Sequence, residues 1–300
     1  MESTLPPMTP DPPPKPAPSY DAPNVSSGPD RSMRRDIAAA YVAAAARIGA
    51  WALMSAFVYR VGGPGQFAVL ALVRGTIGIL NYTTVGLTPA LIRMFAAVRS
   101  ARAGDDGAVA AALPEQFPAR LDGATPEPFS FDDRTIYASG ILAARLSIAV
   151  GFCLTIIYAV CFTRFHVVPQ DLIHDAPGVV LWIGLGTLLR LYSDVAGALL
   201  QTRGRIALDN RLLAGGELTW VVATLMAFAA FRVNPLTAAA VAYVVSGVFL
   251  TAARRWAVNR LEDGPQAWES GAARAAAVRN LFVFGSLVLL AQVADYLYSP

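Results

Sequence analysis

From Ala38 to its last residues the sequence alternates long apolar runs with polar breaks, and the runs have the length that a lipid bilayer demands. A helix that crosses the hydrocarbon core needs ~20 mostly apolar residues. Runs of that size extend over about 38–59, 67–87, 136–163, 178–201, 212–231 and 236–253, and a further one starts near Asn280. Only 15% of the residues are charged and 55% are hydrophobic, whereas a soluble domain carries ~25% charged residues. The pattern predicts an all-α polytopic membrane protein. Its expected parts are a six-helix N-terminal bundle and the start of a second bundle, about seven transmembrane helices in all.

The breaks between runs divide the chain. Residues 1–35 form a tail rich in proline, from Pro6 to Pro29, that buries too little apolar surface to offset chain entropy and is expected to be disordered. The six-helix bundle occupies 36–256, a polar linker 257–278, and the first helix of the second bundle 279–300. That last run lacks a hydrophilic exit or an arginine anchor, which predicts a fragment; the alternative is a natural short protein whose last helix barely spans.

Arginine placement predicts the orientation. With a cytoplasmic N-terminus, the inside segments hold Arg31, Arg34 and Arg35, then Arg93, Arg99, Arg102, Arg120 and Arg134, then Arg203, Arg205 and Arg211, then Arg254, Arg255, Arg260, Arg274 and Arg279. The outside segments hold Arg60, Arg164 and Arg232. The tail and the linker are therefore expected to be cytoplasmic.

Several classes of chemistry find no support. A net charge of +3 without a basic stripe argues against nucleic-acid binding. Cys153 and Cys161 share one apolar run and stand roughly 12 Å apart on a helix, too far for a disulfide. His166 and His174 are isolated in a polar loop, and no cluster has metal-ligand spacing. Neither a metal nor a cofactor is expected. A membrane-embedded transferase would need paired carboxylates or an acid–histidine motif at the interface. The sequence has neither, so an enzyme is not expected.

The informative residues are the charges inside the runs, because such side chains usually face a bundle interior or a wet cavity. Arg47, Arg74, Arg145 and Arg190 fall there, with the acids Asp194, Glu217 and Asp295. Arg47 lies roughly 14 Å into the first run, and Arg74 lies at similar depth from the other side, so the two are expected near one level. Arg74 has no acid at helical spacing and Arg47 no local acid on its own helix, which makes them candidates to line a cavity for an anionic group. Arg74, Gly78 and Asn81 form one stripe. Arg190 and Asp194 are spaced to pair along one helix, with Gly186, Gly197 and Gln201 extending that stripe. It reads either as a cavity wall or as a neutralised pair packed on a neighbouring helix through small residues. Glu217 lies near the inner end of its run, where snorkelling to the interface is one reading and an ion or proton site another. Asp295 is a candidate cation or proton site. Arginine suits a phosphate-bearing lipid head because guanidinium is weakly hydrated, permanently charged and bidentate.

Short motifs carry a family resemblance. They are Gly63-Pro64-Gly65-Gln66-Phe67-Ala68, then Gly86-Leu87, then Pro89-Ala90-Leu91-Ile92-Arg93. Leu199-Leu200-Gln201 with Gly204-Arg205 and Asn210 is a second set, and Phe284-Gly285 a third. With these the chain resembles, over about 35–300, the polysaccharide transporters of the multidrug/oligosaccharidyl-lipid/polysaccharide flippase superfamily. It departs from that pattern at Ala68, where glycine is usual, and at Thr83 and Thr84, where an acid is common.

The resemblance implies two six-helix halves around a central cavity with alternating access. Arg47 and Arg74 fall in helices that carry cavity arginines in related lipid-linked precursor flippases. The expected function is translocation of a lipid-linked (undecaprenyl-pyrophosphate) oligosaccharide across a bacterial inner membrane for surface polysaccharide synthesis, with possible proton or sodium coupling. The cavity residues would be Arg47, Arg74, Asn81, Arg145, Arg190 and Asp194. The alternatives are a cation-coupled drug exporter of the same superfamily, which would prefer acids in the first and seventh helices, and a non-transporting membrane scaffold.

Overall fold

The computed structural model describes residues 31–78, 87–103, 133–261, 275, 277–283, 285 and 286. Among the described residues the structure is helical and contains no strand. α1 spans Arg31–Phe57, α2 Gly63–Gly78, α3 Leu87–Ala103, α4 Asp133–Phe165, α5 Ala176–Thr202, α6 Ile206–Phe231 and α7 Pro235–Asn259. Residues 277–283 are helical as well.

Five stretches are long and apolar enough to cross a membrane: Arg34–Ile77, Asp133–Phe165, Ala176–Thr202, Ile206–Phe231 and Pro235–Asn259. The first covers both α1 and α2. A π-helical turn at Val58–Gly62 separates them, and Gly63 takes φ +84°, a left-handed value that a residue with a Cβ adopts at a cost. The chain therefore reverses there, and Arg74 on α2 comes to lie over Trp51 on α1. The expected second span extends past Gly78 and the expected seventh past 286, beyond the described residues, as do the proline-rich tail through residue 30 and most of the linker.

Local chemistry sets the remaining ends. α5 follows a 3-10 turn at Gln170–Leu172 and has Pro177 in its first turn, where the missing N–H costs nothing. Gly204, at φ +70°, turns the chain from α5 into α6. α6 ends on Arg232, left-handed at φ 50°, whose N–H donates to the Phe228 carbonyl. Asn234 caps α7 by accepting from the Leu236 N–H at 2.9 Å, next to Pro235.

α5 and α7 form the centre of the bundle. α5 packs on α7, α4, α3 and α2, whereas α7 packs on α5 and α6, and α1 lies along α6. Two apolar cores result. One gathers Met54, Val58, Leu70, Val73, Phe162, Val180, Trp220, Leu236 and Tyr243 around the α1–α2 reversal. The other gathers Leu91, Phe95, Ile136, Leu199, Leu200 and Val258 at the opposite end, together with Ala277 and Leu281 of the segment after the linker. Between these cores lies a band of polar and charged side chains.

Candidate functional site

The band has two layers. The first is centred on Arg254 of α7, which is 2% exposed. Its Nε donates to Asp209 Oδ1 at 2.8 Å and its Nη2 to Asp209 Oδ2 at 3.2 Å. Its Nη1 donates to Asp194 Oδ1 at 2.7 Å and Ser193 Oγ at 2.9 Å. Gln201 Nε2 completes Asp209 by donating to Oδ2 at 2.8 Å. One guanidinium thus ties α5, α6 and α7 together. Such bidentate, charge-assisted bonds are the stronger kind, and here they compensate for desolvation of the ions. Nearby, Arg203 Nη2 donates to Asp133 Oδ2 at 2.8 Å and links α5 to the start of α4, and Arg99 of α3 bonds the Thr202 carbonyl.

The second layer lies nearer mid-helix. Arg190 Nη1 donates to Glu217 Oε1 at 2.5 Å and Nη2 to Ser246 Oγ at 2.7 Å. The Arg190 guanidinium carbon stands 4.3 Å from the Tyr243 ring centroid. Arg74 is stacked on Trp51, its guanidinium carbon 3.1 Å from the ring centroid, with Trp220 and Tyr243 each at 5.8 Å. The aromatic faces give these cations a partner that needs no anion. Arg74 also interacts with the charges of Glu217 and Arg190 and with the Tyr243 side chain. Two guanidiniums therefore flank the Tyr243 ring, and among the described residues Glu217 forms its ion pair with Arg190. Glu217 is buried, at 4% exposure. Among the described residues, Glu217 Oε2, Arg190 Nε and Trp51 Nε1 are buried atoms with no hydrogen-bond partner.

The structure changes two expectations about these residues. Arg190 and Asp194 do not pair along their helix. Each takes a partner from another helix, Glu217 for Arg190 and Arg254 for Asp194. An i,i+4 pair contributes only about 0.2–0.5 kcal/mol, and the crossing helices offer partners in drier surroundings. Glu217 does not snorkel, because the Arg190 guanidinium holds it inside the bundle. Arg74 lies over Trp51, one turn beyond Arg47.

Arg47 and Arg145 are exposed on their helices. α4 carries no charge from Leu146 through Thr163, a length of about 27 Å, so Arg145 borders an apolar span. Asn81 and Asp295 lie outside the described residues. Among the described residues no group of acids, histidines and cysteines is placed to hold a metal.

Sequence reading missed Asp209, Arg254, Ser193, Ser246 and the aromatic set Trp51, Trp220 and Tyr243 as members of the band. Asp209 and Arg254 sit near helix ends, where charges ordinarily reach water. Their only sequence signal is mutual, one acid and one base at matching distance from an α6 start and an α7 end.

Comparison with protein-family models, with curated proteins and with solved structures finds no match.

Proposed function

We propose that this chain acts as a membrane carrier that translocates a lipid-linked anionic oligosaccharide, an undecaprenyl-pyrophosphate-linked glycan, across a bacterial inner membrane. The observation that carries the reading is the pair of guanidiniums in the mid-helix layer, Arg74 and Arg190, both against Tyr243, with one carboxylate, Glu217, beside them among the described residues, ion-paired to Arg190. A buried cation without a full counter-charge is costly. A transiently bound phosphate group gives that cost a use, because it supplies the missing negative charge while the lipid head leaves water. The aromatic walls support the same reading, since they keep Arg74 in place between ligands. The sequence motifs supply the flippase class, with about seven spans and a cytoplasmic N-terminus. Alternating access would then expose the band to each side in turn.

The test is Arg74→Ala in the intact protein in its own cell. Surface polysaccharide should fall at least about tenfold, the effect of losing roughly 1.4 kcal/mol of headgroup binding, while the protein stays in the membrane at its usual level. Unchanged polysaccharide would remove the mid-helix layer from the transport path.

A further inference from the structure

We infer that Glu217 is an internal counter-ion that holds the place of a phosphate in the mid-helix layer and thereby sets which anions the layer accepts. The inference rests on the carrier reading and deepens it.

The geometry of one carboxylate carries the argument. Glu217 uses a single oxygen, Oε1, and that oxygen meets Arg190 at 2.5 Å. Among the described residues Oε2 is buried and has no hydrogen-bond partner, and the same holds for Arg190 Nε and Trp51 Nε1. The two nitrogens are N–H donors without acceptors. A carboxylate brings one negative charge to two guanidiniums, whereas a phosphate offers three acceptor oxygens and as many as two charges. The groups around Glu217 are Arg190 from α5, Arg74 from α2, Ser246 and Tyr243 from α7, and Trp220 from its own helix. Among these described residues the two arginines are the cations and Glu217 the anion, so the described layer carries one more positive than negative charge.

Displacing Glu217 from Arg190 has a cost that an incoming anion must exceed. A carboxylate exchanges like for like and gains nothing. A phosphate or pyrophosphate adds charge and donor contacts and prevails. Glu217 would then act as a specificity-determining residue, keeping carboxylates and chloride out of a path meant for phosphate heads.

The experiment is isothermal titration of the full chain in detergent with three probes: inorganic pyrophosphate, farnesyl pyrophosphate and acetate. Wild type should bind both pyrophosphates and not acetate. Glu217→Gln should bind inorganic pyrophosphate at least about tenfold tighter, because unit charges a few ångströms apart interact strongly even at moderate dielectric, and should admit acetate. Arg190→Gln should bind more weakly than wild type. The double variant Arg190→Gln with Glu217→Gln should recover most of that loss, and this comparison stands even if Glu217→Gln alone fails to fold. Tighter binding of the farnesyl form assigns the site to a lipid head, and equal binding assigns it to free phosphates. Both support the counter-ion. If pyrophosphate binds and Glu217→Gln is equal or weaker, or the double variant recovers nothing, the counter-ion role is overturned while the carrier reading stands. Acetate binding to wild type as well as pyrophosphate overturns the phosphate selectivity. No pyrophosphate binding by any variant overturns both inferences.

Discussion

Gly197 and Arg254 compete for one volume. A Cβ at position 197 would stand 2.8 Å from the Arg254 guanidinium carbon and 2.8 Å from Nη2. The far end of an arginine ordinarily yields, but this one is held by Asp209, Asp194 and Ser193. Gly197→Ala should therefore destabilise the bundle by roughly 1–3 kcal/mol, seen as a lower melting temperature in detergent. A wild-type melting curve would contradict the placement of Arg254. Asp209→Ala should cost more, about 3–5 kcal/mol, because it leaves a buried guanidinium short of its main partner. Removing both charges with Asp209→Leu and Arg254→Met should recover much of that loss, as measured by the same melting experiment. The cation was visible in the sequence, but its burial was not: near a helix end an arginine usually has water within reach.

At the scale of the element, α5 and α7 touch backbone to backbone. A Cβ at Gly247 would lie 3.0 Å from the Gly186 carbonyl oxygen and 3.0 Å from Leu189 Cβ. A Cβ at Gly186 would lie 2.6 Å from Tyr243 Cδ1 and 3.0 Å from the Tyr243 backbone. Helices in lipid associate through such small residues, because apolar burial alone does not favour a neighbouring helix over lipid. The close approach also brings Ser246 to Arg190, so packing and the charged layer are coupled. Gly247→Val should separate the two helices and lower the yield of monodisperse protein by several-fold. Gly49→Ala and Gly75→Ala, where a Cβ meets nothing within 4 Å, should leave the yield unchanged. Equal yields from all three would show that the α5–α7 contact tolerates a branched side chain. Gly186 was legible as part of a stripe. The facing glycine was not, since nothing in either helix's own pattern names its partner.

Across the whole molecule, the α1–α2 reversal and the α4–α5 turn lie at one end. A Cβ on Gly65 would approach Pro169 to 3.3 Å, and the Leu236 N–H donates to Gln66 Oε1 at 3.3 Å. The α5–α6 turn lies at the other end, beside the Arg203–Asp133 pair. In a chain lacking Cys153 and Cys161, a membrane-impermeant maleimide should label Gln170→Cys in intact cells. It should label Arg205→Cys only after the membrane is opened. The reverse pattern would invert the topology that the arginine distribution predicts.

Amino-acid order alone determined that this is a helical membrane chain, because length and apolarity are summed locally and lipid imposes them on each run separately. The reversal after the first run was also local, written in Gly62-Gly63-Pro64-Gly65. Only the tertiary structure decided which charges face one another. Arg190 has Asp194 one turn away in sequence and takes Glu217 instead. Asp194 takes Arg254, sixty residues away. Such a choice depends on how closely two helices approach and at what height their side chains meet. Those quantities arise from packing, here from glycines on facing helices, and no single helix encodes them. The same packing brings Arg74 and Arg190 to one tyrosine, Tyr243, with Glu217 paired to Arg190, and on that arrangement the proposed handling of phosphate rests.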